Sequence, residues 1–215
     1  MAQRIGVLGG TFDPVHLGHL AIAEEARVCL PLDLVLLLPA RVQPLRQGGQ
    51  VSSPEHRAAM LERAILGNPA LVLSRVEFER PGPSYTVDTM VLLRERYPRG
   101  SEFFFILGSD ALADLPHWKE PKRLLALCQL VVFPRPGLEF EPRLLFLQLP
   151  LLRERIMRPI DVGDEEWSIG YGRTYVVDGL PLVGSWGGGG YTARAVARVG
   201  AAHATRRRLG RKTAD

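Results

Sequence analysis

The chain has 215 residues, of which 46% are hydrophobic and 23% charged, a composition that excludes disordered and collagen-like proteins. No apolar stretch reaches the roughly 18–20 residues that span a bilayer, which argues against a transmembrane helix and a membrane partner. The formal net charge of +4 arises mainly in the C-terminal part, because residues 1–162 carry 19 basic and 18 acidic side chains. The first residues lack the apolar segment of a signal peptide, so we expect a cytoplasmic protein.

Strand and helix patterns alternate along the N-terminal part of the chain. A short apolar strand at Ile5–Leu8 precedes a helical pattern at Leu17–Leu30, and the strand at Leu34–Leu38 is apolar throughout, as in strands buried on both faces. Two helix starts are possible here, with Ser53 as N-cap and Pro54 at the first position, or with Ser52 and Glu55 as a capping box. The further predicted elements are a helix from Pro54 to about Leu66, a strand at Leu71–Val76, a helix at Thr86–Tyr97, and strands at Phe103–Leu107 and Leu130–Phe133.

This alternation predicts an α/β fold, a Rossmann-like doubly wound and mostly parallel sheet with helices on both faces. In such sheets, ligands bind beyond the carboxyl ends of the strands, at the point where the strand order reverses. The composition changes near residue 162, since residues 1–162 contain 30 leucines and the remaining 53 contain 3. Eleven of the 22 glycines lie in that remainder. We therefore predict one α/β domain over residues 1–162 and an atypical Gly/Arg-rich segment over residues 163–215.

The most informative stretch runs from Gly9 to Leu20 and reads Gly-Gly-Thr-Phe-Asp-Pro-Val-His-Leu-Gly-His-Leu. It lies where the first strand passes into the first helix, so that two glycines and a helix N-terminus are available to a polyphosphate. His16 and His19 share one face of the helix start and can donate hydrogen bonds to oxygens that gain charge as pyrophosphate leaves. A surface or metal-binding histidine pair is the alternative, and the glycine-rich turn disfavours it. Neither the P-loop pattern nor the usual dinucleotide fingerprint is present.

This stretch resembles the signature of the nucleotidyltransferase superfamily, whose His-x-Gly-His element binds ATP, and in particular that of bacterial nicotinate-nucleotide adenylyltransferases. The resemblance implies a catalytic role for His16, His19 and Thr11. It also implies that ATP is contacted by Gly9, Gly10, Thr11, Phe12, His16, Gly18 and His19. By itself this motif leaves the acceptor of the nucleotidyl group open.

Later segments narrow the acceptor. The stretch Pro83–Thr89 resembles the family's Pro-Ser-Tyr-Thr helix start, although Ser84 or Thr86 would also serve as a plain N-cap. Leu115–Trp118 resembles a loop whose indole stacks on the pyridine ring of nicotinate mononucleotide, although Trp118 could instead anchor the core. The turns at 108–110 and 134–137 complete the resemblance. It implies ATP contacts from Gly108, Asp110, Pro134 and Arg135, and acceptor contacts from Asp13, Arg46, Tyr85, Thr86 and Trp118.

The implied reaction transfers the adenylyl group of ATP to nicotinate mononucleotide and gives deamido-NAD and pyrophosphate, a step of NAD biosynthesis. The resemblance also implies Mg²⁺, which such sites hold mainly through the ATP phosphates and water, so no metal site built from protein ligands is predicted.

Two stretches depart from the family pattern. The usual Pro-Pro-His-Lys is replaced by Val42–Arg46, where Arg46 takes the basic position, and no Ile-Ser-Ser-Thr-x-Ile-Arg element follows Ile160. Because 24 of the 27 basic residues are arginine, we expect GC-rich coding DNA, which tends to give Gly, Ala and Arg when it is read out of frame. We therefore hypothesise that residues from about 163 onward are frame-shifted or divergent, or poorly ordered.

Three other functions stay open at this point. The first is a sibling adenylyltransferase such as phosphopantetheine adenylyltransferase. The second is a nucleotide-binding relative that the loss of the C-terminal element has inactivated. The third, nucleic-acid binding through the arginine-rich tail, is disfavoured because the tail lacks interleaved aromatic residues. A homo-oligomer is compatible with the sequence.

Overall fold

The computed structural model describes residues 1–42 and 51–133 with their side chains, and two further strands, 167–169 and 174–176, by their backbone. The described strands are β1 (Arg4–Gly10), β2 (Leu34–Pro39), β3 (Leu71–Leu73), β4 (Glu102–Gly108), β5 (Gln129–Phe133), β6 (Trp167–Ile169) and β7 (Thr174–Val176). The described α-helices are α1 (Leu17–Cys29), α2 (Pro54–Ala64), α3 (Thr86–Arg96), α4 (Ser109–Ala113) and α5 (Pro121–Leu127), with a 3₁₀ turn at Leu115–His117.

The strands form one sheet in the order β3-β2-β1-β4-β5-β7-β6. Neighbouring strands are parallel, except that β6 and β7 are antiparallel. The chain builds outward from β1 to β3, returns to the centre at β4 and then builds outward in the other direction. The predicted Rossmann-like, mostly parallel sheet is therefore confirmed, and its order reverses between β1 and β4. The carboxyl ends of these two strands mark the expected ligand position.

Alternate residues of the strands pack into two hydrophobic layers. Val7, Leu36 and Phe105 belong to the layer that contains residues of α3, α4 and α5, whereas Leu8 and Leu37 belong to the layer that contains residues of α1 and α2. This alternation follows from the period of two along a strand. It explains why the central strands are apolar throughout.

Gly6 allows β1 to approach the second layer closely. A Cβ atom at this position would lie 2.9 Å from side-chain atoms of both Leu32 and Val35, so that any larger residue would displace them. The sheet around the start of the predicted phosphate motif is therefore tightly packed.

Several predicted element boundaries differ from the structure by one to three residues; β1, for example, ends at Gly10 and not at Leu8. The strand predicted to reach Val76 ends at Leu73, because a turn begins beyond it in which the Phe78 amide donates to the Arg75 carbonyl at 2.9 Å. The helix predicted to reach Leu66 ends at Ala64. Its predicted N-cap is confirmed, since the Ser53 hydroxyl accepts a hydrogen bond from the His56 amide at 3.2 Å.

Among the described helices, none combines the length and the apolar character needed to cross a membrane. Apart from β6 and β7, residues 163–215 lie outside the described part of the chain. The division at residue 162 and the nature of the tail therefore stay predictions.

Candidate active site

The surface at the reversal point is open because of Gly9. Although it belongs to a central strand, Gly9 is exposed. Among residues 1–42 and 51–133, a Cβ atom there would meet only the ring of Phe105, at 3.6 Å, which is ordinary contact, so this packing does not require glycine. The missing side chain leaves the β1 backbone accessible to a ligand at the carboxyl edge of the sheet.

Phe12 turns the chain from β1 towards α1. Its φ of 52° lies in the left-handed region, which costs on the order of 1 kcal/mol for a residue with a side chain. The side chain is 1% exposed, and its ring lies 4.7 Å from the His19 ring, centroid to centroid. Burial of the ring thus holds an unfavourable backbone conformation directly before the helix.

His16 and His19 are brought together at the start of α1. Their ring centroids are 3.8 Å apart and the rings are inclined by 27°, so that the two imidazoles stack. The backbone amide of His16 donates to Nδ1 of His19 at 3.3 Å, and the His19 amide donates to the His16 carbonyl at 3.0 Å. The predicted sharing of one helix face is observed.

These contacts define the proton positions of the two rings. Because Nδ1 of His19 accepts a hydrogen bond, the neutral ring carries its proton on Nε2, which is then a donor. Partial burial lowers the pKa of His16 from its usual 6.5, which favours the neutral ring at pH 7. Both rings therefore carry an N–H group that can be donated to a ligand.

The turn after β4 lies beside the end of β1. β1 and β4 are paired as far as Leu8 and Ile106, so that both chains leave the sheet side by side. Gly108 ends β4, Ser109 is buried and Asp110 is half-buried in the first turn of α4. The structure thus places the predicted Gly108 and Asp110 next to the end of β1.

Three of the residues predicted to bind the acceptor, Tyr85, Thr86 and Trp118, lie on the α3 side of the sheet. Trp118 is half-buried and packs edge-on against Phe105, with ring centroids 5.9 Å apart. Because the Phe105 ring also lies beside Gly9, the indole and the open end of β1 have a common neighbour. The Nε1 donor of Trp118 is buried and has no hydrogen-bond partner in the described part of the chain. Tyr85 is the N-cap residue of α3 and packs on the same hydrophobic layer.

A lysine lies next to these aromatic residues. Nζ of Lys119 is 5.0 Å from the centre of the Tyr85 ring, a cation–π distance. The same nitrogen donates to both carboxylate oxygens of Asp88, at 2.8 and 3.0 Å. This ion pair fastens the loop that carries Trp118 to helix α3.

A buried polar network supports the start of α3. Glu77 is 8% exposed, and its Oε1 accepts a hydrogen bond from the Thr89 hydroxyl at 2.9 Å. Arg80 donates to the same hydroxyl at 3.0 Å. Burial raises the pKa of Glu77 above its usual 4.5, against the opposing effects of its hydrogen bonds with Ser84 and Thr89 and of the charge of Arg80.

A second buried network, centred on Arg57 of α2, holds the turn at Phe12 in place. The guanidinium of Arg57, on α2, donates from Nη1 to the Thr11 carbonyl at 2.7 Å and from Nε to the Ser52 carbonyl at 2.9 Å. Oδ2 of Asp13 accepts from the Ser52 amide at 2.8 Å. Asp13, predicted to bind the acceptor, therefore joins the turn to the residues before α2.

The sequence-based site residues fall into three sets. One set lies at the carboxyl edge around β1 and β4 and comprises Gly9, Gly10, Thr11, Phe12, Asp13, His16, Gly18, His19, Gly108 and Asp110. A second set, Tyr85, Thr86 and Trp118, lies on the α3 side. The third set, Arg46, Pro134 and Arg135, lies outside the described residues.

Comparison with known proteins decides the family. A family model described as cytidylyltransferase-like matches residues 7–166. A protein of Roseiflexus sp. (strain RS-1), named as a probable nicotinate-nucleotide adenylyltransferase, is 51% identical over 154 residues, which cover 71% of this chain and 76% of the relative. The nicotinate-nucleotide adenylyltransferase of Bacillus subtilis (strain 168) is 41% identical over 162 residues, or 71% of this chain and 85% of that enzyme. This chain belongs to the nicotinate-nucleotide adenylyltransferase family.

A solved structure extends the likeness to the fold. The nicotinic acid mononucleotide adenylyltransferase of Plasmodium falciparum, complexed with NaAD, superposes with a TM-score of 0.61 at 18% identity. The match covers 83% of this chain and 77% of that enzyme. The family resemblance predicted from the Gly9–Leu20 motif is thus confirmed by sequence, and the adenylyltransferase fold by structure.

Sequence reasoning missed three residues around this adenylyltransferase site: Arg57, Glu77 and Lys119. A signal for Arg57 exists, because it lies four residues before the buried Leu61 and so on the apolar face of α2. No comparable signal marks Glu77 or Lys119, and Lys119 meets Asp88 across 31 residues of sequence.

Proposed function

We propose that this chain transfers the adenylyl group of ATP to nicotinate mononucleotide, giving deamido-NAD and pyrophosphate. The observation that carries the proposal is the stacked pair of His16 and His19, at a helix N-terminus beside the exposed Gly9, in a chain 51% identical to a named nicotinate-nucleotide adenylyltransferase. Three features complement a polyphosphate at this position. They are the end of β1, which is open at Gly9, the N-terminus of α1, and the N–H groups of the two imidazole rings.

The proposed ATP site lies between the ends of β1 and β4. Backbone amides of Gly9–Phe12 and the N-terminus of α1, with Gly18 in its first turn, would receive the phosphates, and Gly108 and Asp110 would contact the nucleoside part. Arg135 and Pro134 belong to the same proposed site on the strength of the family motif. Thr11 adds a hydroxyl to this set of donors.

The proposed reaction is an in-line displacement at the α-phosphorus. An oxygen of the nicotinate mononucleotide phosphate forms the new P–O bond, while the bond to the bridging oxygen breaks and pyrophosphate leaves with the electron pair. His16 and His19 would donate N–H hydrogen bonds to phosphate oxygens whose charge grows in the transition state. No covalent enzyme intermediate is needed, so that catalysis consists of positioning and charge stabilisation.

The proposed acceptor site lies on the α3 side of the same opening. The Trp118 indole offers a face to the pyridine ring, and its buried Nε1 is a donor without a partner among the described residues. Tyr85 and Thr86, at the N-terminus of α3, and Asp13 and Arg46 complete the proposed acceptor contacts. The ammonium of Lys119 lies near this site and is paired with Asp88, so it would offer a carboxylate on the ring a hydrogen-bond donor rather than an uncompensated positive charge.

Mg²⁺ belongs to the proposal as a partner of ATP. Among residues 1–42 and 51–133, no three His, Cys, Asp or Glu side chains converge on a metal position. The groups around the turn at Phe12 are N–H donors, which bind phosphate oxygens, and this fits a metal held mainly by the nucleotide and water. When bound, Mg²⁺ would neutralise part of the phosphate charge.

The test measures pyrophosphate release from ATP and Mg²⁺ with nicotinate mononucleotide, nicotinamide mononucleotide or phosphopantetheine as acceptor. We expect release with nicotinate mononucleotide and a loss of about a hundredfold or more in kcat for His16→Ala. His56→Ala is the matched control, since His56 is an exposed histidine on α2 and its capping contact uses only the backbone.

The three acceptors separate the alternatives. Release with phosphopantetheine alone would assign the sibling activity. ATP binding without release for every acceptor would indicate a nucleotide-binding relative. A cytoplasmic location and a homo-oligomer stay predictions from the sequence.

A further inference from the structure

Arg57 is the largest fully buried side chain of the described residues, at 1% exposure. A buried guanidinium is costly unless its donors are satisfied. Among residues 1–42 and 51–133 no carboxylate forms a close ion pair with it, and the charges of Asp13 and Glu55 act on it only from a greater distance. Its partners are instead the two backbone carbonyls of Thr11 and Ser52. The buried guanidinium of Arg57 therefore holds these two backbone carbonyls in place.

The contact with Thr11 fixes the orientation of one peptide group. In a trans peptide, the carbonyl and the following N–H point in opposite directions. Because Arg57 holds the Thr11 carbonyl at 2.7 Å, the N–H of Phe12 must point away from the buried guanidinium. The positive φ of Phe12 turns the chain at the same place, so that the next residue leads towards α1.

The contact with Ser52 closes the arrangement. The Ser52 carbonyl accepts a hydrogen bond from Arg57, and the Ser52 amide donates one to the Asp13 carboxylate. Ser52 thus binds both the guanidinium and the turn. Thr11, Asp13, Ser52 and Arg57 thus form a continuous set of hydrogen bonds. The turn cannot rotate its 11–12 peptide without breaking the contact that keeps Arg57 satisfied.

We propose that Arg57 is a positioning residue of the nucleotide site: by holding the Thr11 carbonyl inward, it presents the Phe12 N–H to the ATP phosphates. The ligand in this inference rests on the proposed function. Arg57 does not itself touch the nucleotide, and its effect passes through one backbone donor. Loss of one preorganised donor of this kind lowers kcat by about 10²–10³.

The test compares Arg57→Met, which keeps most of the volume and removes the donors, with Arg63→Met, the same change at an exposed position of the same helix. We expect Arg57→Met to lower kcat about a hundredfold, with the KM for nicotinate mononucleotide changed less than threefold. Arg63→Met should match the parent chain. Arg57→Lys keeps the charge with a single donor group and should give an intermediate kcat.

A second readout follows the Phe12 amide itself, by NMR of protein labelled with ¹⁵N-phenylalanine. Adding α,β-methylene-ATP to the parent chain should shift the Phe12 amide resonance, and in Arg57→Met the shift should fall by more than half. If the Phe12 amide resonance of the parent chain does not shift when the analogue is added, the proposal is overturned, even if no Arg57 variant folds. So would a folded Arg57→Met with unchanged kcat, or one that loses kcat while the amide responds in full.

The two proposals can fail separately. If the parent chain shows no turnover with nicotinate mononucleotide but an Arg57-dependent response of Phe12 to the analogue, the acceptor assignment is wrong and the positioning role stands.

Discussion

His16 and His19 have the same side chain but different surroundings, and their roles can be separated experimentally. The ring of His19 is fixed by the bond from the His16 amide to Nδ1, whereas burial lowers the pKa of His16. A histidine whose pKa is lowered in the folded state stabilises the fold less as the pH falls, because the unfolded chain then binds the proton more readily.

We predict that the His16 ring titrates with a midpoint below 6.5 in the nucleotide-free protein, and that α,β-methylene-ATP raises the midpoint. Phosphate charge beside the ring favours its protonated form. The measurement is an NMR titration of the imidazole Hε1 and Hδ2 resonances, assigned with His16→Ala. A midpoint at or above 6.5 in the free protein would contradict the burial of the ring.

A pair of substitutions at His19 separates capping from catalysis. His19→Asn keeps an acceptor near Nδ1 and loses the distal donor, so we expect a Tm near that of the parent chain and a kcat about a hundredfold lower. His19→Gln keeps a distal donor and loses the short-range acceptor. It should lose about 1 kcal/mol of stability and retain more activity than His19→Asn. The reverse order of the two activities would assign catalysis to Nδ1.

At the scale of elements, the sequence predicted what depends on local pattern. The strands around Val7, Leu36 and Phe105 and helices α1 and α3 follow from apolar periodicity, and the Gly9–Leu20 motif from its position between β1 and α1. The supporting contacts could not be predicted, because Arg57 and Thr11 are 46 residues apart and meet only in the folded chain. Likewise, Lys119 reaches Asp88 across 31 residues.

The network at the start of α3 makes a prediction about pH. Burial raises the pKa of Glu77, so the folded state retains this proton above pH 4.5 while the unfolded chain releases it. Stability is therefore lost as the pH rises from about 4.5 through the raised pKa. Relative to Glu77→Gln, which stays neutral, the parent chain should lose about 1 kcal/mol between pH 4 and pH 7.

Urea denaturation of both proteins from pH 4 to pH 8 measures this difference. If the free energy of unfolding of the parent chain instead rose relative to that of Glu77→Gln with rising pH, hydrogen bonds and not burial would determine the direction of the Glu77 pKa shift.

At the scale of the whole molecule, the two layers of the sheet serve different halves of the proposed reaction. Helix α1 brings the proposed phosphate donors to one side of the β1–β4 edge, and helix α3 with the Trp118 loop brings the proposed acceptor contacts to the other. Phe105 in β4 packs against the indole and lies beside Gly9, so the central strand couples the two sides.

Strand β7 pairs in parallel with β5 through residues 130–132, on the side of β5 away from β4. We predict that a chain ending at residue 162 exposes this edge and associates with increasing concentration, since unpaired strand edges template further pairing. Light scattering would detect the association. A chain ending at residue 199 retains β6 and β7 and should behave like the full chain, and equal behaviour of both truncations would refute the role of β7.

The β5–β7 pairing also bears on how the C-terminal part could diverge. Ladder hydrogen bonds involve only backbone N–H and C=O groups, which every residue except proline supplies in full. Thr174, Tyr175 and Val176 are residue types that strands favour, but many other triplets would serve. Pairing at this edge therefore depends on extended backbone more than on side-chain identity, so that many different sequences could take this position in the sheet.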